Sequence, residues 1–203
     1  MSLSTSSHDA DDAALGAVID SLLQIEAAVS VLEAERVRQL ARAHAVAMGR
    51  SAQRPRAVQE RDLAMRSIAA EIGAALRWHD RTTQRRLAEA DSLVKDYPAT
   101  LTALGEAKIT GRHADVVRET GAPLLEPARR EDYERRVLAR AQRDTIAGTR
   151  AFARAVVDEL DPRSIAERHG DAVDRRRVWV EDNADGMAQL GVIDSATKVR
   201  AMF

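Results

Sequence analysis

Apolar residues recur at helical spacing near the start of the chain: Leu15, Val18, Ile19, Leu22, Ile25, Val29 and Leu32, with Leu40 continuing the stripe. Steps of three and four residues place them on one side of an α-helix, so the pattern predicts a long amphipathic helix over 11–49. A helix of that length either spans its domain or pairs with another copy of itself. "GRSAQRPR" then breaks it with Gly49 and Pro55.

The same period predicts further helices joined by short connections. One covers about 57–77, with Leu63, Ile68, Ile72 and Leu76 facing inward, and the next runs to about 95 with Asp80 as its N-cap. Pro98 opens a short helix through Leu101 and Leu104 that stops near Gly105. Thr110 caps another, through Ala114 and Val117, and Pro127 fits the first position of one reaching about 143. Ile146, Ala153, Val156, Val157 and Leu160 mark a helix over about 145–160, and Asp161–Pro162 opens one to about 174.

The period then changes. "RRVWVE" and "MAQLGVI" flank "DNADG", which predicts a β-hairpin with an Asp-Gly turn. A last helix is expected from Asp194 or Ser195, and the chain is expected to end within a structural unit. The fold class is mainly α: a multi-helix bundle with a helix-turn-helix-like segment and a small C-terminal β-hairpin. The expected organisation is a disordered N-terminus over 1–10, a helical domain over 11–175, and the hairpin with the start of a further unit over 176–203.

Composition sharpens this picture. Of 203 residues 45% are hydrophobic but only 3% aromatic, which suits closely packed helices better than a β-sandwich. The chain contains no cysteine, which excludes disulfides, Fe–S clusters, cysteine-zinc sites and cysteine nucleophiles. No basic leader precedes the first apolar run, and Asp20 and Glu26 interrupt that run, so no membrane-spanning stretch and no membrane partner are expected. A cytoplasmic location fits these features.

The net charge of −1 hides an asymmetry. Residues 1–35 hold seven acids and no base, whereas residues 36–86 hold twelve arginines against four acids. A local block of that sign attracts phosphate. The whole chain favours arginine heavily, with three lysines among 31 basic residues, so the block also fits a plain compositional preference.

Few constellations carry chemistry. His8, His44, His79, His113 and His169 are scattered, and none forms an H-E-x-x-H pair. "EDNADG" resembles the start of a calcium loop through Glu181, Asn183, Asp185 and Gly186, but Val192 stands where the closing Glu is needed. The acids of "EDYE", Glu131 to Glu134, are expected to favour the positive end of a helix dipole. Without a phosphate loop or nucleophile elbow, no catalytic residue, metal ligand or cofactor is expected in this chain.

"IGAALRWHDRTTQRRL", residues 72–87, carries more. A helix-turn-helix needs an apolar first helix, a small residue at the close crossing, a tight turn, and a second helix with polar side chains outward. Ile72 and Leu76 supply the apolar positions, Gly73 the small one, Trp78 a plug for the turn and Leu87 a buried anchor. His79, Arg81, Thr82, Gln84 and Arg85 then fall on the leading face. Arg and Gln can contact guanine and adenine edges bidentately, and Arg77 and Arg86 could hold phosphates. Two positions depart from the motif: Arg77 stands where the turn wants Gly, and Thr83 where Val or Ile packs. A helical hairpin with solvated arginines accounts for the same residues.

"EIGAALRWHDRTTQRRLAEADSLVKDYPATLTALGEAKITGRHADVV" (71–117) is similar to the helical domain of the actinobacterial 13E12-repeat family. "LDPRSIAERHGDAVDRRRVWVEDNADGMAQL" (160–190) looks like a later block of the same family, and the resemblance covers roughly 57–203. It implies a domain with no assigned function of its own that commonly stands upstream of an HNH endonuclease domain, where a divalent metal would act. No such motif lies in this sequence, so no catalytic residue carries over. The expected partner is double-stranded DNA, with a homo-oligomer through helix 11–49 as a second expectation. The alternative is an interaction or oligomerisation scaffold without DNA contact.

Overall fold

One helix organises the first part of the computed structural model, which describes residues 4–52, 58–161 and 176–202. Helix α1 (Ser4–Ala52) is followed by α2 (Val58–Leu76), α3 (Asp80–Asp96), α4 (Pro98–Gly105), α5 (Gly111–Gly121), α6 (Pro127–Ala141) and α7 (Ile146–Leu160). These lie in the first of two units, residues 1–160; the second covers 161–203. The fold is mainly α, as the periodicity predicts, and α1 begins ahead of the stripe.

Two apolar clusters hold the first unit together. Leu40, Ala41 and Ala47 of α1, Ile68 and Ala69 of α2, and Leu87 and Ala90 of α3 form one. Tyr97, Leu104, Val116, Val117, Tyr133, Val137, Ala153 and Val156 lie in the other, which the end of α3, Tyr97 and α4 to α7 build against Ala34. Val37 and Val94 pack against both. Small side chains permit close approach: a methyl on Gly121 would sit 2.7 Å from the Tyr97 hydroxyl and run into the Tyr133 ring. The Tyr133 hydroxyl donates to the Val117 carbonyl at 2.9 Å, and burial pushes the Tyr97 phenol up to about 12.

Several sequence expectations need correction. The stripe from Leu15 to Leu32 is not buried: its side chains remain exposed, and α1 packs only from Ser30 and Ala34 onward. Leu63 and Leu76, expected inward, are also exposed, while Ile68 is buried. Asp11–Gly49 is long and apolar enough by length and composition to cross a bilayer, contrary to the expectation that no run reaches that length. Counting Asp20 and Glu26 as interruptions understated a helix whose remaining positions are so apolar.

The "EDYE" acids start in the second turn of α6, which begins at Pro127. Glu134 is instead buried and reaches α4, where its carboxylate accepts 2.7 Å hydrogen bonds from the Thr100 amide and hydroxyl. It satisfies the unpaired donors at the start of that helix. Lost hydration raises its pKa above the usual glutamate range, against the pull of these donors.

In the second unit, β1 (Arg177–Asp182) pairs antiparallel with β2 (Ala188–Ile193), and α8 (Ala196–Met202) follows. Asp185 and Gly186 take positive φ values of 61° and 73°, the conformation a tight Asp-Gly turn requires. The expected helix to about 174 falls almost wholly on residues 162–175, outside the described residues.

Candidate nucleic-acid interface

The α2–α3 connection is a tight turn built by sequence-local chemistry. Helix α2 ends at Leu76, and Arg77 follows in the left-handed region with φ 57°. The Trp78 amide reaches back to the Gly73 carbonyl at 2.8 Å, closing the six-residue bond of a Schellman cap. A methyl on Gly73 would meet the Trp78 carbonyl oxygen at 2.8 Å and the Thr83 hydroxyl at 3.3 Å, so only glycine lets the helices approach this closely. Arg77 thus takes the left-handed geometry for which Gly is the usual residue.

Thr83, the other departure, is fully buried. It has the shape of valine, and its hydroxyl donates to the His79 carbonyl at 3.2 Å, so no polar atom is stranded. With Leu87, Ala90 and Leu93 it forms the inner face of α3. The cap of α3 is His79 rather than Asp80. His79 is extended and its Nδ1 accepts from the Arg81 amide at 3.3 Å, while Asp80 is the first helical residue and favours the dipole.

The residues expected to face DNA divide into two sets. Arg77, His79, Arg81 and Arg85 are exposed, and Arg81 and Arg85 stand one turn apart on the same face of α3. Thr82, Gln84 and Arg86 are half-buried. The Arg86 guanidinium lies over the Trp78 ring, 4.2 Å from its centre, and so braces the turn. Among the described residues no carboxylate pairs with Arg77, Arg81 or Arg86, whereas Arg85 Nε lies 3.7 Å from Glu89.

On the flank of α3, a cleft of about 350 Å³ opens toward α1 and α5. Arg36, Arg85, Arg86 and Arg118 line it, together with Glu89 and Asp115. Arg118 pairs with Glu89 at 3.3 Å and Arg36 with Glu33 at 3.4 Å, so two of the arginines lining the cleft already have carboxylate partners. Asp115 loses hydration against these walls, which raises its pKa despite the neighbouring Arg118. Arg118 and Asp115 come from α5, and no local signal in residues 72–87 announces them. The arrangement suits an extended contact led by the exposed arginines, not a closed pocket for a small anion.

Three of the histidines have individual roles. His44 Nδ1 lies 3.1 Å from Asp91, His79 caps α3, and His113 closes a capping box with Thr110 at the start of α5. Among the described residues no three His, Asp or Glu side chains converge as metal ligands.

No curated protein and no solved structure matches the chain. The sequence pattern of a domain of unknown function, DUF222, matches residues 26–201, from the exposed stripe of α1 through the α2–α3 hairpin to α8. The chain belongs to the DUF222 family.

Proposed function

We propose that this chain is the non-catalytic helical part of an HNH-endonuclease-like cytoplasmic protein, and that its α2–α3 hairpin contacts duplex DNA. The observation that carries this reading is the turn itself. Left-handed Arg77, the Gly73 crossing and buried Thr83 fix how α3 leaves the turn, and Arg81 and Arg85 lie on its exposed face. Arg81 and Arg85 would reach base edges, while Arg77 would hold phosphate. The resemblance to the 13E12-repeat family supports the nuclease association, and any divalent metal would belong to the HNH domain. An His-Asn-His pattern in the reading frame beyond Phe203 is the expected outcome there.

Anisotropy titration of a labelled duplex tests DNA contact. Binding should be strongest at low salt and fall steeply as salt rises, because phosphate contacts release counterions. Arg81→Ala and Arg85→Ala should each weaken it by roughly 1–3 kcal/mol. Absence of binding at low salt would overturn the reading.

A second reading is a protein-interaction or oligomerisation scaffold. The exposed apolar stripe of α1 favours it, because solvated large side chains in a row mark a surface that meets another protein.

A further inference from the structure

The α1 stripe specifies a partner more closely than the scaffold reading on which this inference rests. Leu15, Val18, Leu22, Ile25, Val29 and Leu32 follow in steps of three, four, three, four and three, the a/d spacing of a coiled-coil seam. Each is between 42% and 69% exposed, although the helix is continuous through all six. The seam is about 25 Å long at 1.5 Å per residue. Asp20 lies on the opposite side of the helix and Glu26 at its margin, so water can reach both charges while the seam is covered. A bilayer would have to bury them, at a cost of roughly 2.5–3.5 kcal/mol for an acid at mid-membrane.

The charges choose the direction of the second helix. Extending the heptad by one layer at each end reaches Asp11 and Arg36, both exposed. Parallel pairing would stack Asp11 on Asp11 and Arg36 on Arg36. Antiparallel pairing about the midpoint between Leu22 and Ile25 instead sets Leu15 against Leu32 of the second copy, Val18 against Val29, and Leu22 against Ile25. The same register sets Asp11 against Arg36, at both ends at once. Glu33 would then approach Asp12 of the second copy, but Glu33 already has a counter-charge in Arg36 at 3.4 Å.

We propose that two copies of this chain pair through an antiparallel coiled coil over residues 15–32, closed at each end by Asp11 and Arg36. Both copies use the same surface, so the interface is self-complementary and ends at two.

The absence of native cysteine makes the register directly readable. Light scattering across a concentration series of the full chain should give twice the chain mass, and Leu22→Glu should return the monomer mass with unchanged helical circular dichroism. Leu15→Cys and Leu32→Cys proteins, mixed and treated with a short thiol cross-linker, should form covalent dimers that neither forms alone. Self-cross-linking of each variant alone would overturn the antiparallel register while leaving the scaffold reading standing. A concentration-independent monomer would overturn both. A monomer that sediments with phosphatidylcholine vesicles would assign the stripe to lipid and overturn the proposal.

Discussion

Arg77 holds a backbone conformation that costs an ordinary residue about 1 kcal/mol relative to glycine. Nothing in its exposed side chain offsets that cost within the described residues. Arg77→Gly should therefore raise stability by about 0.5–1 kcal/mol in urea denaturation while lowering DNA affinity by no more than one phosphate contact. A loss of stability would show that the side chain supports the turn. Gly73→Ala should act the other way. Alanine is worth about 1 kcal/mol more in a helix interior, but its methyl would meet backbone rather than a movable side chain, and overpacking costs about 1–3 kcal/mol. A net fall in thermal midpoint is expected. The small residue at position 73 and the plug at Trp78 were legible from spacing. That Arg and Thr satisfy positions 77 and 83 was not, because motif rules name preferred residues rather than the conformation and volume behind them.

Element boundaries were legible where local chemistry sets them. Pro98 and Pro127 stand at the first position of α4 and α6, Thr110 caps α5, and the Asp-Gly turn joins β1 to β2. Which face each helix buries was less so, since Leu63 and Leu76 obey the period yet stay in solvent. Glu134 marks the limit clearly: its partner Thr100 lies 34 residues away, beyond any local window. Because burial raises its pKa in the fold, the native state binds a proton more tightly than the unfolded chain does. Stability should fall as pH rises from the usual glutamate value through the raised one, then level off. Glu134→Gln keeps an acceptor for Thr100 and should remove that slope. Glu134→Ala strands the α4 donors and should cost about 1–3 kcal/mol at neutral pH. Denaturant midpoints at pH 4 to 8 for the three proteins separate these effects; parallel profiles for wild type and Gln would refute the assignment.

At the scale of the chain, the first unit concentrates its burial in α2 to α7 and the second half of α1, while β1 and β2 expose most of their side chains. A two-stranded hairpin with little buried apolar area is marginal in water, so local opening there should require little energy. The charge asymmetry follows the same division. The acidic head lies on the unpacked half of α1, and the arginine block begins where α1 enters the core. Composition revealed that asymmetry, but only packing shows that it separates a free helix from a buried one. Amide hydrogen exchange followed by mass spectrometry should therefore resolve three classes. Peptides around Val116, Val117, Tyr133 and Val137 should hold their amides longest, because exposing them requires opening the fully buried core. Peptides covering 177–193 should exchange orders of magnitude faster. Peptides covering 15–32 should change class with protein concentration, since a second copy is the only protection proposed for them. Equal protection of 177–193 and the core would place the hairpin in the same cooperative unit as the helices, and concentration-independent exchange of 15–32 would remove the helix pair from the account of this fold.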